Sequence, residues 1–98
     1  MTISLADALG RLQENQQSLN ALGVRHAAIF GSLARGQADE GSDVDVAISV
    51  ERPMPASRFI PLCAAIEKAL GCRADIVSNL SLPEGFASRI ERESVRAF

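Results

Sequence analysis

Ninety-eight residues suffice for one compact domain, expected here to span 1–98, because a second independent core needs roughly another 50 to 100 residues. Ten Lys and Arg against twelve Asp and Glu leave a net charge of −2, which removes the whole-chain positive excess that would hold a nucleic-acid backbone. An apolar share of 47% with 22% charged residues excludes a disordered tail, and no run approaches the ~18 apolar residues of a membrane span.

The N-terminus, Met1–Gly10, has neither a basic flank nor an uninterrupted apolar run, so a soluble, unexported, cytoplasmic protein is expected. From Ser4 to Leu22 the residues Leu5, Ala8, Leu9, Leu12, Leu19 and Leu22 recur near helical spacing and Gly23 stands as a stop, which predicts a helix. Val24–Phe30 is β-compatible and ends at Gly31, predicting a first strand. Ser32 to Gly36 leaves room for a turn or so of helix, and Gln37–Ser42 reads as a polar loop with Asp39 and Glu40 in solvent.

Asp43 to Val50 alternates, with Val44, Val46 and Ile48 on one side and Asp43, Asp45 and Ala47 on the other. That is strand periodicity. After the short loop Pro53-Met54-Pro55, the stretch Ala56–Leu70 carries a helical stripe of Phe59, Ile60, Leu62, Cys63, Ile66 and Leu70. Ser57 is the expected cap and Gly71 the stop, and Pro61 is expected in the first turn. Cys63 and Cys72 have no Cys or His neighbours at zinc-ligand spacing; they read as reduced, small buried residues.

Arg73–Ser78 predicts a third strand, and Pro83 opens a last helix carrying Phe86, Ile90 and Ala97, with Arg89, Arg92 and Arg96 along one face. The order is helix, strand, strand, helix, strand, helix. It implies an α+β fold, a small mixed sheet with helices packed against it.

The chemistry concentrates between Phe30 and Val50, FGSLARGQADEGSDVDVAISV. A glycine before a short helix lets backbone approach a ligand closely, and the Ser32 hydroxyl with neighbouring N–H groups suits phosphate oxygens. Asp43 and Asp45 lie two apart on a strand and so project from one face. Such a pair repels itself unless a divalent cation intervenes, and magnesium typically takes one or two carboxylates plus substrate phosphates. Asp75, in Arg73-Ala74-Asp75-Ile76-Val77, is a further acid that reaches the same cluster if the third strand pairs beside the second. It would then accept the attacking hydroxyl's proton or bind a second metal. Gly31-Ser32 or Asp43-x-Asp45 alone is an ordinary turn or strand feature; their joint spacing, with a strand before and after, is what points to a site.

Gly31-Ser32 followed by Asp43-x-Asp45 is similar to the signature of the nucleotidyltransferase superfamily related to DNA polymerase β. The fuller string GSLARG…SDVDV resembles the minimal nucleotidyltransferase (MNT) family along essentially the whole chain. The resemblance implies that Gly31 and Ser32 grip the β/γ phosphates, that Asp43 and Asp45 bind Mg2+, and that Asp75 completes an acidic triad. Arg35 belongs to the same string and would neutralise triphosphate charge, although it can equally cap its short helix.

The resemblance further implies transfer of AMP from ATP to a hydroxyl with release of pyrophosphate. Many MNT proteins are antitoxins for a HEPN-domain ribonuclease toxin, which they inactivate by adenylylating a tyrosine. Two rivals stand beside this reading: an antitoxin that works by occlusion alone, and a small-molecule nucleotidyltransferase, for which 98 residues offer little substrate platform. The complete set of Asp43, Asp45 and Asp75 argues against a decayed site. His26 reads as an ordinary strand residue.

Overall fold

The alternation seen in the sequence becomes a four-stranded sheet in the computed structural model, which describes residues 3–37, 43–78, 90 and 92–98. Strands β1 (Val24–Phe30), β2 (Val44–Val50), β3 (Ala74–Ser78) and β4 (Val95–Arg96) lie in the order β3-β2-β1-β4. β1 runs antiparallel to both β2 and β4, whereas β2 and β3 are parallel. A parallel neighbour needs a crossover, and helix α4 (Ala56–Leu70) supplies it. The sheet is mixed, as expected of the α+β class.

One face of the sheet is core. Val44, Val46, Ile48 and Val50 of β2 and Val24, Ala27 and Ile29 of β1 are buried against Ala8, Leu12, Leu19, Leu62, Ile66 and Leu70 of the helices. Each fully buried leucine or isoleucine contributes about 1.5–3 kcal/mol relative to exposure. The other residues of β2, including Asp45, Ala47 and Ser49, are half-buried on the opposite face.

The leading helix is broken in two, α1 (Leu5–Glu14) and α2 (Gln16–Ala21). Asn15 causes the break. Its side-chain amide donates to the Arg11 carbonyl at 2.8 Å and its own N–H is shared between Arg11 and Leu12, a side-chain competition that asparagine favours over continued helix. Ser4 caps α1 through a bond from the Asp7 N–H at 3.0 Å.

Helix α4 has the expected bounds but not the expected details. Pro55 occupies the cap position with no side-chain hydrogen bond, so Ser57 is not the cap. Pro61 sits inside the helix rather than in its first turn; its turn is exposed, where water can satisfy the carbonyl that loses a partner. Ile60 is 69% exposed, being about 120° around the helix from Ile66 at 100° per residue. Cys63 and Cys72 are free thiols, but half-buried rather than buried.

The chain's end departs most from expectation. Ile90, Arg92 and Glu93 are helical, whereas Val95 and Arg96 form β4 and Ala97 follows it, its N–H bonded to the Ala27 carbonyl at 2.8 Å. A two-residue strand is too short to show a period. Arg92 and Arg96 therefore share no helical face; Pro83, Phe86 and Arg89 lie outside the described residues, as do Asp39 and Glu40.

Candidate active site

The register of β2 and β3 decides the site. Asp45 and Asp75 are direct Cα partners in this parallel pair, so their side chains leave the same face of the sheet from adjacent strands about 4.8 Å apart. Glu67 of α4 helps to fix that register. Its Oε2 accepts the Ala74 N–H at 3.0 Å, while the Val44 N–H donates to the Arg73 carbonyl at 3.2 Å. Sequence reading passed over Glu67 because an acid on a helix carries no signal of the strand end it will hold.

On the other side, Phe30 is the cross-strand partner of Asp45, which brings the next residue, Gly31, beneath the Asp45 carboxylate. A Cβ at Gly31 would fall on Asp45 Oδ2 and lie 2.9 Å from its Cγ, and the backbone has φ +72°. Glycine is thus required twice, by the left-handed backbone and by the close approach. Ser32 is half-buried at the start of the single-turn helix α3 (Gly31–Ala34), which ends at Arg35 before Gly36 turns with φ +72°.

Burial holds the Asp45 carboxyl above the usual carboxylate range, and the charges of Asp75 and Asp43 push it further the same way, opposed by Arg35. Asp75, Asp43 and Arg35 therefore all lie close enough to act on the Asp45 carboxylate. Arg35 is exposed and within 4.0 Å of Glu93, with its Nε donating to Gln37 Oε1 at 3.4 Å.

Among the described residues no three His, Cys, Asp or Glu side chains are placed together so that they could hold a metal ion. An open set is nevertheless suited to magnesium, which keeps waters and completes its shell from phosphates. The repulsion that Asp75 and Asp43 exert on the Asp45 carboxylate is of the kind a divalent cation would relieve. The structure thus brings together Gly31, Ser32, Arg35, Asp43, Asp45 and Asp75 at one end of the sheet.

A glycine turn pressed against a strand carboxylate, with a second acid in register on the neighbouring parallel strand, stands at one end of an α+β sheet, the fold class of nucleotidyl-transferring domains. The chain belongs to the nucleotidyltransferase domain family, which it matches over residues 8–97. The protein adenylyltransferase MntA of Thermococcus cleftensis is 42% identical over 73 residues, covering 74% of each chain. A solved structure assigned as a minimal nucleotidyltransferase superposes with a TM-score of 0.81 at 30% identity, covering 95% of both chains. A chain from the complex of the tri-AMPylated Shewanella oneidensis HEPN toxin with MNT antitoxin superposes with a TM-score of 0.63, covering 92% of this chain and 71% of that one. At 14% identity that last likeness shows the fold alone. Among the described residues no helix is long and apolar enough to cross a membrane.

Proposed function

We propose that this chain is a magnesium-dependent protein adenylyltransferase that moves AMP from ATP to a hydroxyl, a tyrosine of a HEPN-domain ribonuclease toxin, and so acts as a cytoplasmic antitoxin. The observation that carries the reading is the pairing of Asp45 with Asp75 in register, with Gly31 packed against Asp45. The relative named a protein adenylyltransferase supports the chemistry, and the fold shared with a chain of a HEPN–MNT complex makes a HEPN-domain toxin the partner to test.

In this reading Asp43 and Asp45 hold magnesium, which supplies charge stabilisation for the entering and leaving oxygens of an in-line displacement at the α-phosphate. Gly31 leaves room beside Asp45 for backbone to approach the phosphates, and the Ser32 hydroxyl donates to a phosphate oxygen. Arg35 offsets triphosphate charge. Asp75 accepts the proton of the attacking hydroxyl or serves as a further metal ligand. Formation of the new phosphodiester expels pyrophosphate, so charge and positioning do most of the work.

The test mixes the protein with α-labelled ATP, magnesium and a purified HEPN-domain toxin from the same genome, and follows AMP-sized mass gains on the toxin. Label on a toxin tyrosine that disappears with Asp43→Asn and with Asp45→Asn is the expected result. Neutralisation of the toxin without label, surviving both substitutions, would establish the occlusion reading instead.

A further inference from the structure

The face of the sheet that carries the carboxylates is polarised. At one end is the row Phe30, Asp45 and Asp75; the next row is Arg96, Ala28, Ala47 and Val77; beyond it stand His26 and Ser49. Arg96 is exposed and uses two of its guanidinium N–H groups on the protein. Nε donates to the Phe98 carbonyl at 3.1 Å, and Nη2 lies 2.6 Å from His26 Nδ1, a contact in which Nδ1 accepts. The other three N–H groups have no partner among the described residues, and arginine cannot shed its charge. Between Arg96 and the acids the floor is alanine, Ala28 and Ala47, both half-buried, where an incoming backbone can lie close.

We infer that Arg96, oriented by His26, is an anion subsite for the acceptor polypeptide, positioning its hydroxyl over the carboxylate row. This rests on the reading above that the acceptor is a protein. Two strand spacings and two residues of rise put the Arg96 and Asp45 backbones about 12 Å apart. The guanidinium leans toward His26, away from the carboxylate row, so the acceptor carries its anionic group at least that far from the reacting hydroxyl, roughly four or more residues away in extended chain at about 3.4 Å per residue. Two sources share this chemistry: an acidic side chain, or the phosphodiester of an AMP already attached. Arg96 is a positioning residue here, since it touches neither ATP nor the metal ligands.

The experiment measures AMP transfer to the same purified HEPN-domain toxin by wild type, Arg96→Gln, Arg96→Glu and Arg96→Lys, with Lys68→Glu on the outer face of α4 as a charge control. The acceptor KM should rise about fivefold in Arg96→Gln and tenfold or more in Arg96→Glu, with KM for ATP unchanged, partial rescue by Arg96→Lys, and a smaller difference at high salt. A defect in the first transfer identifies an acidic side chain as the source; a defect confined to later transfers identifies the phosphodiester. Transfer by wild type with all Arg96 variants within twofold in acceptor KM overturns the inference and leaves the function intact. If wild type transfers nothing, the toxin's dissociation constant is compared between wild type and Arg96→Glu: weakening of tenfold or more keeps the subsite without the chemistry. Equal affinity, or no complex at all, overturns it.

Discussion

Gly31 and Gly36 form a natural pair for testing the close approach at the site. Both have φ +72°, but a Cβ at Gly36 meets nothing within 4 Å, whereas at Gly31 it falls on the Asp45 carboxylate. Alanine at either position is forced into left-handed backbone at about 1–2 kcal/mol. With a shift of about 4–8 °C per kcal/mol for a domain of this size, both variants should melt several degrees or more below wild type in a thermal scan of metal-free protein. Only Gly31→Ala must also push the Asp45 carboxylate away, by about an ångström to restore van der Waals contact. Misplacement on that scale costs ~100-fold in rate. Assayed well below both melting points, Gly31→Ala should therefore lose about two orders of magnitude in AMP transfer while Gly36→Ala stays within a few-fold of wild type. Equal losses in the two variants would refute the argument that Gly31 is glycine for the sake of Asp45.

Asp45 holds its proton more tightly in the folded chain than in the unfolded one, so the folded state binds more protons and stability falls as pH rises through its raised pKa. In metal-free protein Asp45→Asn should accordingly melt higher than wild type at pH 7, the gap closing as pH drops through the carboxylate range; added magnesium should raise the wild-type midpoint and leave the variant's alone. Glu67→Ala removes the acceptor of the Ala74 N–H and should lower kcat with little change in KM for ATP, while Glu67→Gln, which keeps an accepting oxygen, should retain most of the rate. Arg11 hydrogen-bonds the Leu70 carbonyl at the C-terminal end of α4, so Arg11→Ala should cost about 1 kcal/mol in denaturant unfolding without altering the m-value.

Much of the fold is legible in the sequence wherever a period runs long enough to be heard. β1 appears at Val24–Phe30 and α4 at Ala56–Leu70, both with the expected bounds, because each repeats its apolar spacing and is closed by a glycine. What the period cannot show is a local side-chain bond such as that from Asn15 to Arg11, which divides the first helix, or a strand as short as Val95–Arg96, which exists only because β1 offers an edge. The candidate site was legible as residue types and spacing, Gly31 to Asp45, since those are neighbours in the chain. The placement of Asp75 beside Asp45 was conditional on strand pairing, Glu67 carries no local signature, and Arg96 shows in the sequence only as one of three arginines at a helical spacing that β4 does not keep, a stripe that reads as a wet face or as a surface for an acidic partner. Their geometry belongs to the tertiary structure.

The route by which β3 reaches β2 has a consequence for how the site assembles. Gly31, Ser32, Asp43 and Asp45 sit on a single antiparallel excursion of the chain, but Asp75 lies on β3, which joins the sheet through the α4 crossover. An incompletely folded chain would hold the glycine turn and two acids without the third. Competence thus requires the crossover to be docked, and turnover becomes a built-in report that β3 has joined β2.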